Sequence, residues 1–136
     1  MSYLPAYFLD SFALLAYLSD EPGADRIEKL ITDTKQEKCH LFLSIINLGE
    51  ILYIIERRGG LSRAQDTLVL IRQLPIEILP ANEQSVFSAA HIKAKHALSY
   101  ADAFVVAASQ QEDAIILTRD QEFRTVEELV AIEWLD

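Results

Sequence analysis

Four acidic residues lie at positions where an acid is unexpected, and carboxylates at such positions are candidates for metal binding or acid–base chemistry. Asp10 ends the apolar run AYFLD, and Asp102 lies near the start of the apolar run ADAFVVAAS. Glu50 lies within SIINLGEILYIIERRGG, which is apolar on nearly every side of a helix, and Asp120 follows AIILTR. A buried carboxylate is costly unless it has a partner. These positions therefore predict either a local hydrogen-bonding role or a functional site.

Each acid also has a purely structural interpretation. Asp10 and Asp120 could cap helices that begin at the next residue, because an aspartate side chain accepts hydrogen bonds from the free N–H groups of a first turn. Asp102 is the last residue of SYAD, which fits the S-x-x-[DE] capping box. Glu50 could lie at the edge of the buried zone and reach water or Arg57. Taken singly, the acids do not decide between structure and function.

The elements that would position these acids are short strands that alternate with helices. Five runs have strand length and an apolar or alternating character: 6–10, 40–44, 76–79, 114–117 and 130–135. Between them, apolar residues recur at helical spacing. This alternation predicts an α/β fold with a parallel sheet covered on both faces. In such sheets, ligands bind beyond the carboxyl ends of the strands.

Some residues indicate where the helices begin and end. The run RRGG at 57–60 predicts the end of one helix, because glycine is common just past a helix C-terminus. Asn82 is predicted to cap another helix, and Ser62 with Gln65 is interpreted as a capping box. The helix after Asp10 is richer in apolar residues than one core-facing helix requires. This excess suggests either a partner surface or additional core packing, and the residues concerned are Phe12, Leu14, Leu15, Tyr17 and Leu18.

Length and composition restrict the class of protein. With 136 residues, of which 51% are hydrophobic, the chain is expected to be one folded domain spanning residues 1–136. The apolar N-terminal stretch is interrupted by Asp10 and has no basic residue before it, so we expect neither a signal peptide nor a membrane segment. The single Cys39 excludes an internal disulfide framework and predicts a cytoplasmic protein.

Net charge favours a metal ion at the predicted site. The formal net charge of −9 argues against a nucleic-acid partner unless a bound cation supplies positive charge. If the four acids meet, their repulsion raises some of their pKa values, and a hard divalent cation relieves it. Mg²⁺ and Mn²⁺ prefer oxygen ligands, whereas the absence of His and Cys among the four acids disfavours zinc.

The four acids, in this order, resemble those of the PIN domain, most closely those of VapC-type toxins from toxin–antitoxin pairs. The matching stretches are FLDSFALLAYL, SIINLGEILYIIERRGG, ALSYADAFVVAAS and ILTRDQEF, which together extend from residue 8 to residue 123. The resemblance implies a three-layer α/β/α sandwich around a five-stranded parallel sheet. It also implies an endoribonuclease toxin that hydrolyses RNA with a metal-activated water. The implied partners are a VapB-like antitoxin and a second copy in a homodimer.

Carried over to the matching positions, the resemblance assigns roles to individual residues. Asp10 and Asp102 would be the main ligands of Mg²⁺ or Mn²⁺. Glu50 and Asp120 would complete the catalytic site, directly or through water. Thr118, the first residue of the family's T-x-D pattern, would orient a ligand or a water molecule.

Other positions support the site or depart from the family pattern. Asn47, one turn before Glu50, is a candidate supporting residue. Phe12 stands where many relatives have Ser or Thr, and Ser11 is a candidate substitute. Arg119 stands where the family often has Gly, and it is either an RNA contact or an ordinary exposed side chain. Arg57 is a second candidate RNA contact.

Two other functions are compatible with parts of this pattern. A phosphatase with an aspartyl nucleophile would use Asp10, but its D-x-D pattern requires an acid where Phe12 stands. A non-catalytic PIN-like scaffold that binds a protein partner would be favoured by the loss of one of the four acids, and none of them is missing.

Overall fold

The structure, a computed structural model, describes residues 4–135. Its five strands form one parallel sheet in the order β3-β2-β1-β4-β5. The strands are β1 (Ala6–Leu9), β2 (His40–Ser44), β3 (Glu77–Leu79), β4 (Ile115–Thr118) and β5 (Ile132–Trp134). All five predicted strands are confirmed, each to within two residues of its predicted bounds.

Helices connect the strands. They are α1 (Ser11–Leu18), α2 (Ala24–Lys35), α3 (Ile45–Gly59), α4 (Leu61–Gln73), α5 (Glu83–Lys95), α6 (Tyr100–Glu112) and a 3₁₀ helix (Gln121–Val126). Between residues 4 and 135, none of the helices combines the length and apolar character that crossing a bilayer requires.

Alternation along the strands divides the interior into two cores, one on each face of the sheet. On one face, Leu9 and Leu117 pack with residues of α1, α2, α3 and α4. On the other face, Phe8 and Ile116 pack with residues of α5, α6 and the 3₁₀ helix. Successive strand residues point to opposite faces, so a strand buried on both sides is apolar throughout. The predicted three-layer α/β/α sandwich is confirmed.

The helix ends agree with the sequence at two positions and differ at a third. Gly60, at φ 90°, follows α3, and its N–H donates to the carbonyl of Glu56 at 2.8 Å, as the RRGG run predicts. Asn82 caps α5 by accepting a backbone N–H of the first turn at 2.9 Å. The predicted capping box at Ser62 is wrong, because Gly60 occupies the cap position and α4 already begins at Leu61.

The strand order leaves a crevice between β1 and β4. From β1 the chain proceeds outward through β2 and β3, then crosses back to β4 on the other side of β1 and continues to β5. At such a reversal the connections leave the sheet in opposite directions, which opens a ligand-binding space beyond the carboxyl ends of the strands. Asp10 follows β1 and Thr118 ends β4, so both lie at this crevice.

Candidate metal centre

A chain of hydrogen bonds joins the ends of β1 and β4. The hydroxyl of Thr118 donates to Oδ2 of Asp10 at 2.5 Å and accepts the backbone N–H of Asp120 at 3.0 Å. Oδ1 of Asp10 accepts the N–H of Ala13 at 2.8 Å and caps α1. Asp10 and Thr118 are fully buried. The Asp10 carboxylate is therefore held at both oxygens, and its capping role is compatible with a place in the site.

Glu50 reaches the crevice from α3 through a buried serine. The Ser11 hydroxyl donates a short hydrogen bond to the carboxylate of Glu50, and it accepts one from Nδ2 of Asn47 at 2.9 Å. The partner of Glu50 is thus Ser11 rather than Arg57, whose guanidinium carbon lies 4.9 Å from the ring centroid of Tyr53. Asn47 is fully buried, and its Oδ1 has no hydrogen-bond partner within residues 4–135. Ser11 and Asn47, two of the predicted supporting residues, are therefore hydrogen-bonded to each other, and Ser11 joins them to Glu50.

Asp102, Asp120 and Glu122 form a compact acidic group. One carboxylate oxygen from each lies within 4.8 Å of the others. Ser99 caps α6 by accepting the backbone N–H of Asp102 at 3.1 Å, which fixes Asp102 in the first turn. Asp120 caps the 3₁₀ helix by accepting the N–H of Glu122 at 2.9 Å. Local capping therefore places all three carboxylates.

Glu122 is absent from the residues that the sequence predicts for the site. In TRDQEF it has the appearance of an exposed glutamate in a first helical turn. The predicted cap at Asp120 nevertheless indicates that Glu122 lies near the site. A residue whose N–H binds an N-cap carboxylate must lie beside that carboxylate, and here that residue is itself acidic.

Burial and mutual repulsion raise the pKa values of the two most buried acids. Burial raises the pKa of Asp102 to about 8, and the negative charges of Asp10, Asp120 and Glu50 add to the rise. Burial raises the pKa of Asp10 to about 6, against the opposing effect of hydrogen bonds from Thr118 and the backbone. The charges of Asp120 and Glu50 also raise the pKa of Asp10. Of the four predicted acids, Asp102 and Asp120 belong to the compact group, whereas Asp10 and Glu50 lie outside it and act on Asp102 through their charges.

This donor set fits a hard divalent cation. Within the described part of the chain, the compact group consists of carboxylates alone. Carboxylate oxygens suit Mg²⁺ and Mn²⁺, whereas zinc sites are usually built with His or Cys. A cation among these acids would also offset the repulsion that raises their pKa values.

The two arginines predicted as RNA contacts lie outside the acidic group. Arg119 is exposed, and one of its guanidinium nitrogens donates to the carbonyl of Pro22 at 3.4 Å. Arg57 is exposed on α3 beside Tyr53. Whether either arginine contacts RNA stays a prediction.

Solved structures with a similar fold contain toxins of toxin–antitoxin systems. VapBC2 from Rickettsia felis, bound to a promoter DNA fragment, gives a TM-score of 0.74 at 16% identity, over 96% of this chain and 99% of that chain. DNA-bound VapBC from Salmonella typhimurium gives 0.74 at 18% identity, over 96% and 98%. VapC20 from Mycobacterium tuberculosis, described as a sarcin-ricin loop cleaving toxin, gives 0.62 at 16% identity, over 81% and 86%. At these identities the likeness shows a shared fold.

The sequence itself matches a family. A search of curated proteins found no match. The family model of the PIN domain, however, matches residues 7–129, a range that includes the four predicted acids and Glu122. This range also includes four of the five strands of the parallel sheet almost completely. The chain therefore belongs to the PIN domain family.

Proposed function

We propose that this protein is a metal-dependent endoribonuclease, the toxin of a VapBC-type toxin–antitoxin pair. The observation that carries the proposal is the compact group of carboxylate oxygens from Asp102, Asp120 and Glu122. Asp10 and Glu50 lie near enough to this group for their charges to raise the pKa of Asp102. Membership of the PIN domain family supports a nuclease. The likeness to VapBC structures and to a sarcin-ricin loop cleaving toxin supports the toxin role.

The proposed ligands of Mg²⁺ or Mn²⁺ are Asp10, Asp102 and Asp120, with Glu50 and Glu122 completing the site directly or through water. When bound, the cation would activate water for attack on the scissile phosphate and stabilise the negative charge that develops on it. The residues of the chain supply orientation. The hydroxyl groups of Ser11 and Thr118 donate to the carboxylates of Glu50 and Asp10, respectively. Backbone N–H groups donate to the carboxylates of Asp10 and Asp120. Ligands held in this way are preorganised for the ion.

We further propose that a VapB-like antitoxin inhibits the enzyme at this crevice. An acidic pocket attracts a guanidinium fork, which can bind a carboxylate through two parallel hydrogen bonds. A basic or arginine-bearing antitoxin segment would therefore compete with the metal and the RNA. The free Cys39 and an RNA substrate are both compatible with the cytoplasm as the site of action.

A homodimer is also proposed, but α1 offers less partner surface than the sequence suggests. Leu14 and Leu15 are buried in the core, and Tyr17 and Leu18 are partly buried against it. Phe12 alone among these apolar residues of α1 is exposed. A second copy would therefore need additional apolar surface from other elements.

RNA cleavage tests the proposed activity. Purified protein is incubated with end-labelled RNA in EDTA, Mg²⁺ or Mn²⁺, beside Asp10→Asn, Asp102→Asn and the control Asp113→Asn. Asp113 is an exposed acid at the other end of α6, with φ 52°, a conformation that asparagine also adopts. We expect cleavage that requires a divalent cation, is lost in both site variants and persists in the control.

The same assay separates the alternatives. Cleavage in EDTA, or cleavage that survives either site substitution, contradicts the proposed mechanism. Hydrolysis of a simple phosphate ester without RNA cleavage would favour the aspartyl-nucleophile phosphatase. Metal binding without either activity would favour the non-catalytic scaffold.

A further inference from the structure

Tyr53 and Arg57 form an exposed pair on α3, the helix that also carries Glu50. The guanidinium carbon of Arg57 lies 4.9 Å from the ring centroid of Tyr53. Tyr53 is 47% exposed, although α3 packs on a core. Both residues are therefore accessible to a ligand and already arranged as a cation–π pair.

Helix geometry relates this pair to the site. At 3.6 residues per turn, Tyr53 and Arg57 lie within about 60° of the direction of Glu50 around the helix. With a rise of 1.5 Å per residue, they lie roughly 4.5 and 10.5 Å farther along the axis. Glu50 points to Ser11 at the crevice. Tyr53 and Arg57 therefore lie on the same side of α3 as Glu50, about one and two turns closer to the C-terminus of the helix.

The positive charge of this part of the chain is not neutralised by ion pairs. Arg26 and Arg124 form ion pairs with glutamates, but no ion pair within residues 4–135 involves Arg57, Arg58 or Arg63. These three exposed arginines lie at the end of α3 and the start of α4. In a chain with a formal net charge of −9, they place cationic charge on the helix that carries Glu50 and on the start of the next helix, where it can attract the phosphates of an RNA substrate.

We infer that Tyr53 and Arg57 bind an unpaired nucleotide next to the scissile phosphate of the RNA. This inference rests on the proposed ribonuclease function and adds the residues that select the substrate. Unpaired bases stack on aromatic rings and on guanidinium planes, and arginine also binds phosphate through its fork of N–H donors. Bases within a duplex are already stacked and cannot use the pair.

Steady-state kinetics on a short single-stranded RNA test this inference. Stacking energies of single bases predict that Tyr53→Ala raises KM about tenfold, whereas kcat changes little because the acids are untouched. Tyr53→Phe keeps the ring and should retain the wild-type KM. Arg57→Ala should raise KM and weaken its dependence on salt concentration.

Matched controls lie elsewhere on the surface. Phe87→Ala removes an aromatic side chain on α5 that is 63% exposed. Arg72→Ala removes an exposed arginine at the end of α4. Neither control should change KM. A Tyr53→Ala enzyme with the wild-type KM would overturn the inference while leaving the proposed function intact.

A binding measurement separates this inference from the proposed function. RNA that contains 2-aminopurine is titrated into the Asp102→Asn protein, with and without Tyr53→Ala, because stacking quenches the fluorescence of this base. We expect quenching that is lost with Tyr53→Ala and kept with Phe87→Ala. If the wild-type protein cuts no RNA, the proposed function fails, and quenching that depends on Tyr53 still supports the nucleotide site. Quenching that is absent or independent of Tyr53 overturns the inference.

Discussion

Replacing Asp102 with asparagine should stabilise the metal-free protein at pH 8 while removing a proposed metal ligand. Asp102 is 6% exposed, and its carboxylate is near those of other acids. Asparagine has a similar shape and carries no charge. The backbone N–H of residue 102 donates the capping hydrogen bond to the Ser99 hydroxyl, so the substitution leaves this bond in place. The Ser99 hydroxyl also interacts with the side chain at this position, and asparagine keeps an oxygen that can accept from it.

The direction and size of the effect follow from the pKa of Asp102. The pKa rises from 3.8 to about 8 on folding, so the folded state binds more protons than the unfolded state between these pH values. The free energy of unfolding therefore falls as pH rises from about 4 to about 8. At pH 8 the unrelaxed cost of the ionised carboxylate is about 5 kcal/mol. After local relaxation and water entry we expect about 2 kcal/mol, or ~7 °C in Tm.

Thermal and urea unfolding in EDTA between pH 5 and pH 9 measure this effect. The advantage of Asp102→Asn over the wild type should be small at pH 5 and close to its maximum near pH 8. The exposed control Asp113→Asn should show no such trend. Added Mn²⁺ should reverse the order, because an ion at 100 times its Kd stabilises the wild type by about 2.7 kcal/mol and the variant by less. An Asp102→Asn protein without greater stability at pH 8 in EDTA would refute the reasoning.

Three further predictions concern buried and partly buried polar groups. Ser11→Ala removes the acceptor of the Asn47 amide and should cost about 1–3 kcal/mol of unfolding free energy in urea; an unchanged midpoint would contradict the orienting role. Arg26→Ala breaks a two-point hydrogen bond to Glu133, at 2.6 and 2.9 Å, that joins α2 to β5. The substitution should lower the free energy of unfolding by about 1 kcal/mol, because both side chains are partly exposed. Arg26→Lys should recover only part of this loss, and full recovery would show that the two-point geometry of the guanidinium is unimportant. Ser109→Ala should be neutral or stabilising by up to about 1 kcal/mol, since this buried hydroxyl has no partner within residues 4–135; a clear loss of stability would indicate a bound water.

The strands and most helix ends could be predicted because their signals are local. A parallel strand buried on both faces requires a short apolar run, and such runs are visible at all five strands. A cap such as Asn82 requires a particular side chain at a particular place. The start of α4 could not be predicted in this way, because its N-cap residue is Gly60, which makes no side-chain hydrogen bond.

The candidate site could be predicted from the sequence where its residues follow the ends of strands. Parallel strands carry their C-terminal residues to one edge of the sheet, which brings Asp10 and Asp120 to the same crevice. The contact between Ser11 and Glu50, 39 residues apart, depends on how α1 packs on α3 and has no local signal. Glu122 was missed because its sequence context is that of an exposed glutamate in a first helical turn, although the predicted cap at Asp120 places its backbone N–H beside the Asp120 carboxylate.

The most direct test of the proposed metal site is the anomalous scattering of crystals grown with Mn²⁺. We expect a manganese peak in the crevice between β1 and β4, bonded to a carboxylate oxygen of Asp102 and to at least one of Asp10 and Asp120. The peak should be absent from crystals of Asp102→Asn grown in the same way. Crystals of the wild-type protein with no peak at saturating Mn²⁺, or with peaks only at other surface acids, would contradict a divalent-metal site formed by these carboxylates.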